Sequence, residues 1–153
     1  MTKLDGNNRW GGKMLLTEHQ EKYDQRNGIL AVKASADELR LIRDSILLPH
    51  LMTMLQRSID EVSRSQISMH SVMARFMRVV LDRAGLESFN TRRELKKRNI
   101  KLLSDEMQDD IIYTRYICRG YEDKFGMTRE VMRAEIGKHL ANAVDSILNP
   151  SKE

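Results

Sequence analysis

The sequence predicts a mainly α-helical domain with a β-hairpin toward its C-terminus, in an order that admits a winged-helix-like arrangement. Three observations predict it. Apolar residues recur at steps of three and four over most of residues 35–98 and again over 127–148. A β-branched and aromatic cluster, Ile111-Ile112-Tyr113-Thr114-Arg115-Tyr116-Ile117-Cys118, breaks that spacing. Residues 1–34 hold Gly6, Gly11, Gly12, Gly28 and the only Trp without sustained periodicity. The first pattern belongs to helices with one apolar face and the second to strands. With 153 residues, 41% apolar and 31% charged, the chain has the size and composition of one folded domain. It divides into an N-terminal arm, 1–34, and a helical domain, 35–153, with the hairpin near 100–121.

Taken in order, the arm is expected to contain one short helical turn, Thr17 to Arg26, with Thr17 as a candidate cap. Before it, Trp10 is followed by Met14-Leu15-Leu16 and then Glu18-His19. Such a run either docks on a protein partner, through Trp10, Met14, Leu15 and His19, or pins the arm to its own core, as a lone aromatic commonly does.

Ser35-Ala36-Asp37-Glu38 opens the first long helix. Ser35 is placed to accept from the third helical N–H while Glu38 reaches back, so two orphan donors are satisfied. Leu39, Ile42, Ile46, Leu48, Leu51, Leu55, Ile59 and Val62 follow at helical steps, with a change of face at Pro49. Proline lacks the N–H and clashes with the preceding turn, so a kink or a short break is expected at Leu48-Pro49. Ser68 begins a second helix whose stripe of Met69, Val72, Met73, Phe76, Met77 and Val80 is expected to be core, and Gly85 is expected to end it. A short third helix, Thr91 to Arg98, has Leu95 as its one anchor.

Ile100-Lys101-Leu102-Leu103 and 111–118 then read as two strands around an acidic turn, Ser104 to Asp110. On the second strand Ile112, Thr114, Tyr116 and Cys118 share one face. A helical reading of this segment, with Ile112, Tyr116 and Arg119 together, stays open. The last helix, Met127 to Leu148, runs through Ile136, Leu140, Val144 and Ile147. It is started by Thr128 or Gly126 and stopped by Asn149-Pro150.

Net charge is +4, unevenly spread. Residues 67–103 carry nine Lys and Arg against three acids, a local +6, whereas 104–126 carry a net −3. Phosphate contacts depend on such clusters rather than on the whole-chain balance. In a winged-helix reading the short basic helix would lie in the major groove of duplex DNA and the hairpin would touch the adjacent backbone. The residues that would carry it are Arg92, Arg93, Lys96, Lys97, Arg98 and Lys101, with Arg115 and Arg119 from the strand. Asp105, Glu106, Asp109 and Asp110 at the turn have the wrong sign for phosphate, and Glu94 interrupts the basic run. A solvated face or an acidic protein partner therefore competes with nucleic acid. Arg119-Gly120-Tyr121-Glu122 sets an aromatic between charges, suited to a base or to a protein interface.

Other chemistries find no support. His19, His50, His70, His139 and the single Cys118 offer none of the paired spacings of a zinc site. Cys118 reads as a small buried apolar side chain. The carboxylate pairs Asp109-Asp110 and Glu122-Asp123 have no partner to tune them. We expect no enzyme, no catalytic residue, no metal and no cofactor. No apolar stretch is long enough for a membrane span or a secretory h-region, so the expectation is a cytoplasmic regulatory protein. A homodimer through Ala36 to Val62 and Met127 to Leu148 fits the two apolar-faced helices.

The run from Trp10 through Met14, Leu15 and Leu16 to Glu18-His19 resembles the N-terminal signature of the YolD-like family of small Firmicute proteins. This chain has Thr17 where that family typically has Pro. The resemblance covers residues 8–19. It implies a cytoplasmic protein linked to DNA-damage responses and error-prone polymerases, acting as a protein-binding adaptor or inhibitor, with no catalytic residue to carry over.

Overall fold

A computed structural model describes residues 33–150. Three helices, α1 (Ala36–Arg64), α2 (His70–Lys97) and α3 (Arg129–Leu148), pack with a three-stranded sheet inserted between the second and third: β1 (Ile100–Gln108), β2 (Ile111–Cys118) and β3 (Tyr121–Thr128). The sheet is antiparallel in the order β1-β2-β3. The described region is thus mainly helical with a C-terminal sheet.

Local chemistry starts α1 and α3 as their sequences dictate, whereas α2 begins after Met69 with no side-chain cap. Glu38 N donates to Ser35 Oγ at 3.3 Å and Ser35 N to Glu38 Oε2 at 2.9 Å, completing the capping box. Thr128, rather than Gly126, caps α3 by accepting from Val131 N. The expected kink or break at Pro49 does not divide the first helix, since α1 is continuous through it. Leu47, Leu48 and Leu51 around the proline are essentially inaccessible, and burial of that size outweighs one missing backbone bond. Thr53 Oγ1 donates to the Pro49 carbonyl at 3.0 Å.

The second helix corrects two expectations. It does not end at Gly85, and Thr91 to Arg98 is not a separate helix; α2 runs unbroken to Lys97. One half-buried glycine facing Met52 of α1 costs about 1 kcal/mol relative to alanine, less than the packing of a long seam returns. That seam, facing α1, is Ala74, Met77, Leu81, Ala84, Ser88, Thr91 and Leu95, a strict alternation of three- and four-residue steps. The methionine stripe expected in the core is mostly outside it. Val80 is buried and Met77 half-buried, but Met69, Val72, Met73 and Phe76 are exposed. Periodicity identified an apolar face, and small residues, not large ones, let α1 approach.

The hairpin becomes a three-stranded sheet. Asp109 and Asp110 (φ 51° and 62°) form a two-residue turn, and Arg119 and Gly120 (φ 49° and 86°) form a second. Both pairs adopt the left-handed backbone that matches strand twist. Ser104 to Gln108, expected as turn, extends β1, with a bulge where Leu103 and Ser104 oppose Arg115. Residues 111–118 are strand, which closes the helical alternative, and Thr114, Tyr116 and Cys118 lie on the buried face. The core joins this face to α1, α2 and α3 through Leu95, Ile100, Met127, Met132 and Ile136.

Candidate functional site

The basic block lies where α2 gives way to β1. Leu95 and Ile100 are buried, so the helix end is anchored and its other side chains face solvent. Asn99, at φ 56°, reverses the chain, and its carbonyl accepts from Arg119 N at 3.0 Å. The reversal folds Lys101 back beside the last helical turn. An open pocket of about 410 Å³ results, with Leu95, Ile100 and Leu102 as its floor and Arg92, Lys96 and Lys101 on its rim. Ser45 of α1 reaches its wall, four residues before Pro49, which has no N–H to offer the Ser45 carbonyl. Among the described residues, no carboxylate lies within ion-pair distance of Arg92, Lys96 or Lys101. Cations at a helix C-terminus also offset its negative dipole end.

The other nominated cations differ from these three. Arg93 and Arg98 are exposed on the same helix end, and Lys97 is paired with Glu94 at 3.1 Å. Arg115 sits on β2, paired with Glu122 across the sheet, its Nε 2.8 Å from Glu122 Oε1. Arg119 donates to Glu38 at 2.7 Å. That guanidinium, followed by the Ser35 cap, holds the buried Glu38 carboxyl below the usual range against the opposing effect of burial. Arg115 on β2 and Arg119 in the β2–β3 turn thus serve the chain's own carboxylates. Trp10, Met14, Leu15 and His19 lie outside the described residues.

Two polar groupings were not read from the sequence. Cys118 lies behind the Glu38–Arg119 pair, 4.0 Å from Glu38 Oε2, and burial pushes its thiol up, so it remains protonated. Where the three helices meet, His139 Nε2 is 3.0 Å from Asp44 Oδ1 and its Nδ1 is 3.3 Å from Glu87 Oε1. Hydrogen bonds to Asp44 and then Glu87 outweigh burial and lift His139 to about 9. Burial raises the Asp44 carboxyl, but His139 and Arg43 prevail and it lies below its ordinary value. The imidazolium is therefore charged at neutral pH with both nitrogens committed as donors, which suits a staple and not a general base. The available signal was a histidine at an inward step between Ile136 and Ala143. Among the described residues no three His, Cys, Asp or Glu side chains are grouped to hold a metal, and no helix is long and apolar enough to cross a membrane.

The fold and its charged corner define a class: a helical hairpin closed by a third helix and a small antiparallel sheet, with a cationic pocket at the helix–sheet junction. The profile of the YhjD protein matches residues 33–147, and the chain belongs to that family. The match spans the capped start of α1 to the end of α3 and leaves out residues 8–19. No curated protein and no solved structure matches the chain.

Proposed function

We propose that this protein is a small cytoplasmic regulator that binds duplex DNA through the basic end of α2 and the start of β1. The observation that carries the reading is the convergence of Arg92, Lys96 and Lys101 on one open pocket, with no carboxylate among its lining residues. Arg93 and Arg98 extend the same positive surface. Phosphate oxygens are the ligands such a surface recognises, and contacts of this kind position a duplex without reading its sequence. A winged-helix docking would place the last turns of α2 against the groove. The β1–β2 turn, with Asp109 and Asp110, then stays away from the backbone.

The test is a salt titration of binding to generic duplex DNA. Each neutralised phosphate contributes a slope of roughly −0.9 to log K against log salt. About three to five contacts should give a slope of about −3 to −5, and R92E with K96E should reduce it by about 2. Affinity that is insensitive to salt, or unchanged in the double variant, overturns the reading. An adaptor acting through Trp10, Met14, Leu15 and His19 is the second reading, supported by the YolD-like run. Deleting residues 1–28 should then abolish capture of a partner while leaving DNA retention intact.

A further inference from the structure

The α2 helix has two apolar seams, and the chain uses only one. The second lies about a third of a turn from the α1-facing seam at 100° per residue. It consists of Met69, Val72, Phe76, Val79 and Leu86, each between 40% and 61% exposed. An apolar stripe of this length, broken only at Arg83, marks an interface on a small protein. We propose that the occupant is a second copy of this chain, whose α2 crosses antiparallel at Val79.

Two features of the stripe select a second copy over another partner. The first is symmetry. A two-fold interface requires that a patch match itself, and this one is nearly palindromic about Val79. Val72 precedes it by seven residues and Leu86 follows by seven; Phe76 precedes it by three and Arg83 follows by four. An antiparallel crossing sets Val72 against the partner's Leu86 twice over. It also aims Phe76 at the level of the partner's Asp82 and Arg83. At that level each chain presents an open groove of about 420 Å³, bounded by Val79, Arg83 and Leu86 of α2 and by Ile147 of α3. The aromatic ring has a receptacle there and a guanidinium to lie against.

The second feature is charge. By the helical period, Arg75 and Asp82 lie on the same edge of the stripe, and among the described residues neither is within ion-pair distance of an opposite charge. The two-fold keeps same-edge residues facing one another, so each Arg75 meets the partner's Asp82. On α1 and α3, the helices expected to pair in a dimer, Leu47, Leu51, Met132 and Ile136 are spent on the chain's own core.

The experiment is sedimentation equilibrium on the full chain, joined to site-directed crosslinking. Dimer mass at micromolar concentration is expected, with V79E monomeric and unchanged in helical circular dichroism. V79C should crosslink to itself on mild oxidation, since disulfides need Cβ atoms about 4 Å apart. V72C alone should not, but V72C mixed with L86C should; the wild-type control should stay uncrosslinked because Cys118 is fully buried. R75D or D82R alone should weaken the dimer and the two together should restore it. A monomer at tens of micromolar, a dimer that survives V79E, or crosslinks that do not follow this pattern overturn the proposal.

Discussion

At the residue scale the most consequential side chain is His139, which ties α1 to α2 and α3. It faces Asp44 and Arg43 from α1 and Glu87 from α2, and Glu135 of its own helix lies nearby, bridged to Arg43 and Lys138. Its folded pKa, about 9, lies above the unfolded value near 6.5. A group raised in this way contributes its full stabilisation below the unfolded value and loses it as pH climbs to the folded one. Stability should therefore fall between about pH 7 and pH 9.5, by on the order of 2 kcal/mol. H139Q should be less stable at pH 7 and should lose that pH dependence; denaturant unfolding at several pH values checks both. Asp44, lowered in the fold, acts in the opposite sense, and its contribution disappears only as pH falls through the acid range.

At the element scale, caps and turns carry effects that simple substitutions can isolate. Ser35 satisfies an orphan donor of α1 and positions Glu38 for Arg119, so S35A should cost about 1 kcal/mol in urea unfolding. Gly126 of β3 faces Tyr113 of β2, and a Cβ placed there would sit 2.6 Å from the tyrosine ring. The ring lies over the glycine as a cross-strand cover. G126A must swing Tyr113 aside and so disturb its contact with Lys124, whose Nζ is 5.6 Å from the ring centre. A loss of about 1 kcal/mol and a changed tyrosine fluorescence are expected, with helix content unaffected. Arg119 in the left-handed region is the one turn residue with both a long side chain and a structural partner. R119G should relax the backbone yet release Glu38, so a net loss of stability would show that the ion pair outweighs the strain.

At the scale of the whole molecule, the cationic cluster at the end of α2 and the apolar stripe share one helix but occupy different parts of it. The cations gather after residue 91 and the stripe lies before residue 87. Because Arg92 and Lys96 are exposed, R92E with K96E should leave the melting temperature within about a degree or two of wild type while weakening the proposed DNA binding. The sequence by itself determined the helical periods, the cap at Ser35, the two-residue alternation within 111–118 and the position of the basic block; it narrowed the start of the last helix to Thr128 or Gly126. These are set by local spacing and by short-range hydrogen bonding, which leave their mark on neighbouring residues. Only the tertiary structure decided that α2 passes through Gly85, that Arg119-Gly120 makes a second hairpin turn, and which apolar seam is buried. It also decided that Arg115 and Arg119 serve Glu122 and Glu38, and that His139 meets two carboxylates. Each of these depends on which surfaces pack together, and a residue's own neighbours in sequence carry no record of the element that comes to cover it.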